Sequence, residues 1–97
     1  MTILPFDVDK LIALCRQNGV IKIGVFGSMA RGEPTEQSDV DLLVYFSQRK
    51  SLLDMVALER QVSVALGRKV DLLTEAALSP YLRDTIKNEM VVIYEAQ

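Results

Sequence analysis

Histidine and tryptophan are absent from the 97 residues, and cysteine occurs once, at Cys15. Without histidine there is no imidazole for acid–base catalysis, for a Ser-His-Asp arrangement or for a His-based zinc site. A single thiol excludes an intrachain disulfide and a multi-thiolate metal site. Aromatic residues make up only 6% of the chain, and five glycines and three prolines are too few for a collagen-like or low-complexity protein. No apolar run approaches the roughly 18–20 residues that span a bilayer. The start, Met1-Thr2-Ile3-Leu4-Pro5, has neither the basic residues nor the small-residue cleavage site of a signal peptide. The expectation is a cytoplasmic protein that meets no membrane.

Charge of neither sign dominates: 11 Lys and Arg stand against 13 Asp and Glu, a net charge of −2. The basic face that marks extended nucleic-acid binding is therefore not expected. What remains is 49% hydrophobic and 25% charged, the composition of a folded globular domain. At this length we expect one domain over residues 1–97, with a single core and no second lobe. A site on so small a chain lacks walls that a partner must supply.

Val8, Leu11, Ile12 and Cys15 recur at helical spacing, with Asp7 as N-cap and Gly19 as stop. Val20 to Phe26 is rich in β-branched residues and bounded by glycine, which reads as a strand. Gly27 to Gln37 reads as a polar turn with at most one helical turn, and Val40 to Phe46 as a second, central strand. Ser51-Leu52-Leu53-Asp54 resembles a capping box and opens a helix with Met55, Leu58, Val62 and Leu66 on one stripe, ending at Gly67. Lys69 to Leu73 reads as a third strand. Ser79-Pro80 starts a last helix to about Glu89, and Met90 to Tyr94 a last strand. The order α-β-β-α-β-α-β predicts an α+β (mixed α/β) domain, a sheet of about four strands with helices mainly on one face.

The chemistry concentrates in Gly27-Ser28-Met29-Ala30-Arg31-Gly32-Glu33, followed by Ser38-Asp39-Val40-Asp41. On a strand, Asp39 and Asp41 point to the same face with Cα atoms about 6.5–7 Å apart. Two like charges so placed need a lysine, an arginine or a cation between them. Oxygen ligands without histidine or thiolate favour Mg²⁺ or Mn²⁺ over zinc. Asp71 interrupts an apolar strand, where an unpaired carboxylate is costly to bury. If that strand lies beside the second, Asp71 joins the pair, and three carboxylates suit metal-assisted phosphoryl or nucleotidyl transfer. Gly27 at a strand end lets backbone approach a phosphate, the amides that follow present N–H groups, and Ser28 adds a hydroxyl. The spacing is not that of a P-loop, whose Gly-Lys-Ser/Thr ending is missing. Gly-Ser, ten residues, then Asp-x-Asp arises by chance in about one chain of this length per thousand, so the pattern is read as functional.

These residues resemble the nucleotidyltransferase superfamily that includes DNA polymerase beta and kanamycin nucleotidyltransferase. More closely, the chain resembles the minimal nucleotidyltransferase (MNT) proteins, which are often encoded beside a HEPN-domain RNase. The likeness rests on the Gly27-Ser28-x-Ala30-Arg31-Gly32 turn, the Ser38-Asp39-x-Asp41 strand, the Asp71 strand and the end around Tyr94. It implies that Gly27 and Ser28 contact a nucleoside triphosphate and that Asp39 and Asp41 bind metal, with the third acidic position on Asp71. It implies further an antitoxin that transfers AMP from ATP to a tyrosine of its HEPN toxin, in a hetero-oligomer with it.

Other readings of the same residues stay open at this point. Asp39 and Asp41 could cap a turn and meet a surface lysine, and Asp71 could be a satisfied structural carboxylate. Arg31 reads as a triphosphate contact or as an arginine pinned to Glu33 or Glu36. Arg49-Lys50 and Arg68-Lys69 read as solvated strand or helix ends, and Cys15, Tyr81 and Tyr94 as packing residues. At the level of function, the alternatives are an antitoxin that masks its toxin without catalysis, and nucleotidyl transfer to a small molecule or an RNA end.

Overall fold

Asp7 opens the first helix as its sequence predicts: its carboxylate accepts the Lys10 N–H at 3.0 Å, and α1 runs over Val8–Gln17 with Leu11 and Cys15 buried. The computed structural model describes residues 4–32 and 39–96. Two strands follow, β1 over Val20–Phe26 and β2 over Val40–Phe46. Ser51 caps α2 (Leu52–Leu66) by accepting the Asp54 N–H at 3.1 Å, and Gly67 ends it at φ 65°, a left-handed C-cap. β3 is shorter than the sequence reading, Val70–Leu73, but the Lys69 carbonyl just before it already accepts the Val40 N–H at 2.9 Å. A 3₁₀ turn at Glu75–Ala77 leads to α3 (Pro80–Glu89) and β4 (Val91–Glu95).

The four strands form one mixed sheet in the order β3-β2-β1-β4. β1 pairs antiparallel with both β2 and β4, while β2 and β3 run parallel. α1 and α2 lie on one face, where Leu11, Cys15, Leu58 and Val62 pack on Ile23, Val25, Val40, Leu42, Val44 and Val70. The opposite face holds a smaller cluster, Phe26, Leu43 and Leu78, with Ile86 of α3 and Met90 against it. Two helices thus share one face and the third lies on the other.

β3 is an edge strand whose outward N–H groups are not left to solvent. Val70 donates to Ser63 Oγ at 3.1 Å and Leu72 to Glu59 Oε2 at 2.9 Å, so side chains of α2 close that edge. Cys15 is fully buried, and burial pushes its thiol up to about 11, in keeping with a packing role. Tyr94 packs against the main core, but Tyr81 corrects the reading of it as a packing residue. It is 93% exposed, because the first turn of α3 carries it on the side away from the sheet. The expectations that fall on Met1 to Ile3 and on residues 33–38, Ser38 and the partners Glu33 and Glu36 among them, lie outside the described residues.

Candidate active site

Strand alternation sorts β2 into two sets. Val40, Leu42 and Val44 face α1 and α2, which leaves Asp41, Leu43 and Tyr45 on the α3 side. In the parallel register Asp41 stands opposite Asp71, and in the antiparallel register it stands opposite Phe26. Adjacent strands are about 4.8 Å apart, so Asp71, Asp41 and the end of β1 form one row across the sheet. The expectation that β3 lies beside β2 and brings Asp71 to Asp41 agrees with this topology.

Gly27 comes directly after that row. Its φ is +74°, a left-handed conformation that side chains disfavour. A Cβ on Gly27 would collide with Oδ2 of Asp41, whose Cγ lies 3.3 Å from the same position. The absent side chain is therefore what allows the Asp41 carboxylate to lie over the turn. Residues 27–32 then make a single helical turn: Ala30 and Arg31 N–H both donate to the Gly27 carbonyl at 3.1 Å. Met29, only 1% exposed, anchors this turn in the main core, a support that reading the motif for its polar residues had missed. Ser28, between the glycine and the anchor, is partly exposed.

The carboxylates repel one another. Asp41 is held above the ordinary carboxylate range by burial first, then by the charges of Asp71 and Asp39 and by a hydrogen bond with Asp71, with Arg31 pulling the other way. Asp39, just before β2, is turned toward Lys69, with Oδ2 3.9 Å from Nζ and both side chains well exposed. Among the described residues, no three acidic or thiol side chains are gathered into a ready-made metal cage. The donor set nevertheless fits a hard divalent cation. Its oxygens belong to the class such ions prefer, and their mutual repulsion at Asp41 is what a cation would relieve. Among the described residues, the contact that restrains Asp39 is a long one to an exposed lysine.

Arg31 leaves the turn and donates through Nη1 to Glu89 Oε1 at 2.8 Å. Glu89 is the last residue of α3, where the helix dipole disfavours an anion. That misplaced charge is a sequence signal for a cationic partner, and the sequence reading missed it. Farther along the same face, the Tyr45 hydroxyl donates to Glu75 Oε1 at 2.7 Å and Lys87 pairs with the same oxygen at 2.9 Å. Burial and Glu75 push Tyr45 up to about 12, and these bonds pull Glu75 below its ordinary value.

The structure therefore brings Asp71, Asp41 and Gly27 together, leaves Asp39 close by on Lys69, and places Arg31 within the field of Asp41 while bonded to Glu89. Two archaeal proteins are similar in sequence. MJ0435 of Methanocaldococcus jannaschii, which bears the name of a protein adenylyltransferase, is 45% identical over 82 residues, covering 84% of this chain and 88% of its own. Protein adenylyltransferase MntA of Thermococcus cleftensis is 44% identical over 75 residues, covering 77% and 76%. In three dimensions the chain is similar to a toxin–antitoxin crystal structure with AMP-PNP, at a TM-score of 0.83 and 25% identity over 94% of this chain and 75% of that one. The family model described as nucleotidyltransferase domain matches residues 8–93, and with the acid row and the Gly27 turn in place the chain belongs to that family.

Proposed function

We propose that the chain transfers AMP from ATP to a hydroxyl, that of a tyrosine on a HEPN-domain RNase toxin, and so neutralises the toxin. One observation carries this reading: the Asp41 carboxylate lies against the backbone of Gly27, so that the acid row and the phosphate turn are a single site. The names of the similar proteins and the toxin–antitoxin context of the fold relative support it.

In this reading the backbone N–H groups after Gly27 and the Ser28 hydroxyl hold the β- and γ-phosphates, and Arg31 adds positive charge beside them. The acceptor hydroxyl oxygen attacks the α-phosphorus. The bond from that phosphorus to the bridging α–β oxygen breaks, and pyrophosphate leaves. Asp71, next to Asp41 in the row, orients the hydroxyl and accepts its proton. Asp39, Asp41 and Asp71 would hold Mg²⁺ or Mn²⁺, which when bound neutralises phosphate charge and polarises the α-phosphate. The partner presents the acceptor.

The test is incubation with α-labelled ATP, Mg²⁺ and the HEPN protein encoded alongside. Label on a toxin tyrosine, lost in Asp39→Ala/Asp41→Ala, is the expected result. Equal labelling by the double variant overturns the reading. The contact of Asp39 with Lys69 favours a second reading, an antitoxin that only masks its toxin. Neutralisation in cells by the double variant, without label transfer, would establish masking in place of catalysis.

A further inference from the structure

The acid row sits where β2 and β3 begin; β2 ends at Phe46, about 16 Å farther on, and the shorter β3 at Leu73, about 7 Å on. At that far end lies a pocket of about 600 Å³, lined among others by Phe46, Met55, Leu72 and Ala76. Its rim is apolar and open to water. Leu52 is 79% exposed and Val56 54%, and the neighbouring Leu53 is 81% exposed. A helix start with two leucines in solvent gains nothing from folding alone. Arg49 and Lys50 stand on the same rim, and among the described residues neither is held in an ion pair. The one acid in the lining, Glu59, is engaged by the Leu72 N–H.

We infer that this pocket docks a segment of the HEPN toxin that carries a large apolar side chain beside acidic residues. The inference rests on the toxin partnership proposed above and adds the surface that holds the partner. Charge selects the occupant. Arg49 and Lys50 add two positive charges to this apolar rim on a chain whose net charge is −2, so acidic flanks on the partner complement it. A second copy of this chain is disfavoured, since a two-fold contact would set Arg49 and Lys50 against their own copies. A small ligand would fill the pocket and leave Leu53 in water, whereas a polypeptide covers pocket and rim together. Docking at one end of the sheet leaves the acid row free at the other. A chain too small to enclose its substrate would thus hold the partner at one place and modify it at another.

The experiment measures complex formation between the full chain and the HEPN protein by fluorescence anisotropy without ATP. It compares the wild type with Leu53→Glu, Arg49→Glu/Lys50→Glu and a control pair, Lys10→Glu/Arg60→Glu, on the groove between α1 and α2. Leu53 and the substituted cations are exposed, so folding is retained, and circular dichroism checks this. Expected is at least tenfold weaker binding for Leu53→Glu and for the Arg49/Lys50 reversal, with the control pair and binding of a fluorescent ATP analogue unchanged. Unchanged toxin binding in both rim variants overturns the docking surface alone. A wild-type dimer split by Leu53→Glu overturns it in favour of self-association. If the wild type binds no toxin, the partnership and the surface fall together. Loss of binding in the rim variants without any AMP transfer by the wild type overturns the transfer and upholds the surface.

Discussion

The two faces of one strand differ in what they do for this protein. On the α1–α2 side, Val40, Leu42 and Val44 are at most 1% exposed and meet only apolar neighbours. On the other side, Asp41 faces two like charges, Leu43 belongs to a small cluster, and Tyr45 enters an ion-paired network. The first face stabilises the domain, and the second carries an electrostatic cost at Asp41 that the proposed site accounts for. In the function proposed above, the carboxylates come from the core's own central strand and not only from a loop apart from it.

The sharpest break of this comparison is Asp41→Ala. Label transfer should fall by about three orders of magnitude, ~4 kcal/mol of transition-state stabilisation. The thermal midpoint should rise, since a repelled carboxylate is gone, and a lowered midpoint would show that Asp41 is structural. Its neighbour Leu42 should behave in the opposite way. Leu42→Ala should cost about 3 kcal/mol in urea unfolding, while the folded fraction keeps its transfer activity per molecule. Gly27→Ala joins the two effects. The left-handed φ and the collision with Asp41 should remove about 1–3 kcal/mol of stability, and transfer should fall in step.

Two smaller effects refine the contrast. Mg²⁺ at ten times its dissociation constant should stabilise the wild type by about 1.4 kcal/mol through binding the folded form. Asp39→Ala/Asp41→Ala should show no such rise, and an equal rise in that variant would place the ion elsewhere. Glu75 has a lowered folded pKa, so the stability it lends is present above its unfolded value and is lost as pH falls through the folded one. Glu75→Gln should therefore flatten the acid limb of the stability curve between those values. Tyr45, raised to about 12, works in the other direction: its contribution holds below its unfolded value near 10 and is lost as pH rises through about 12. Tyr45→Phe should flatten that alkaline limb.

Much of the architecture was legible in the chain because its signals are local. Asp7, Ser51 and Ser79 cap the helices they were expected to cap, and Gly67 stops α2, since these bonds span only two to five residues. The 3₁₀ turn at Glu75–Ala77 was not legible, because three residues carry no period. Tyr81 was misjudged because a large aromatic side chain reads as core until its helix face is known. Among the described residues Arg31 meets Glu89, 58 residues away, a pairing that no local signal announces.

By itself, the order of residues determined the elements, their caps and the types of side chain available for chemistry, because propensity and periodicity act over a few neighbours. Only the tertiary structure decided that β3 lies parallel to β2 with Asp71 opposite Asp41, that Asp41 rests over Gly27, and that Glu89 receives Arg31. Those contacts depend on strand order and register. These in turn follow from burying the apolar alternate residues of every strand at once, a condition on the whole sheet that no single segment contains.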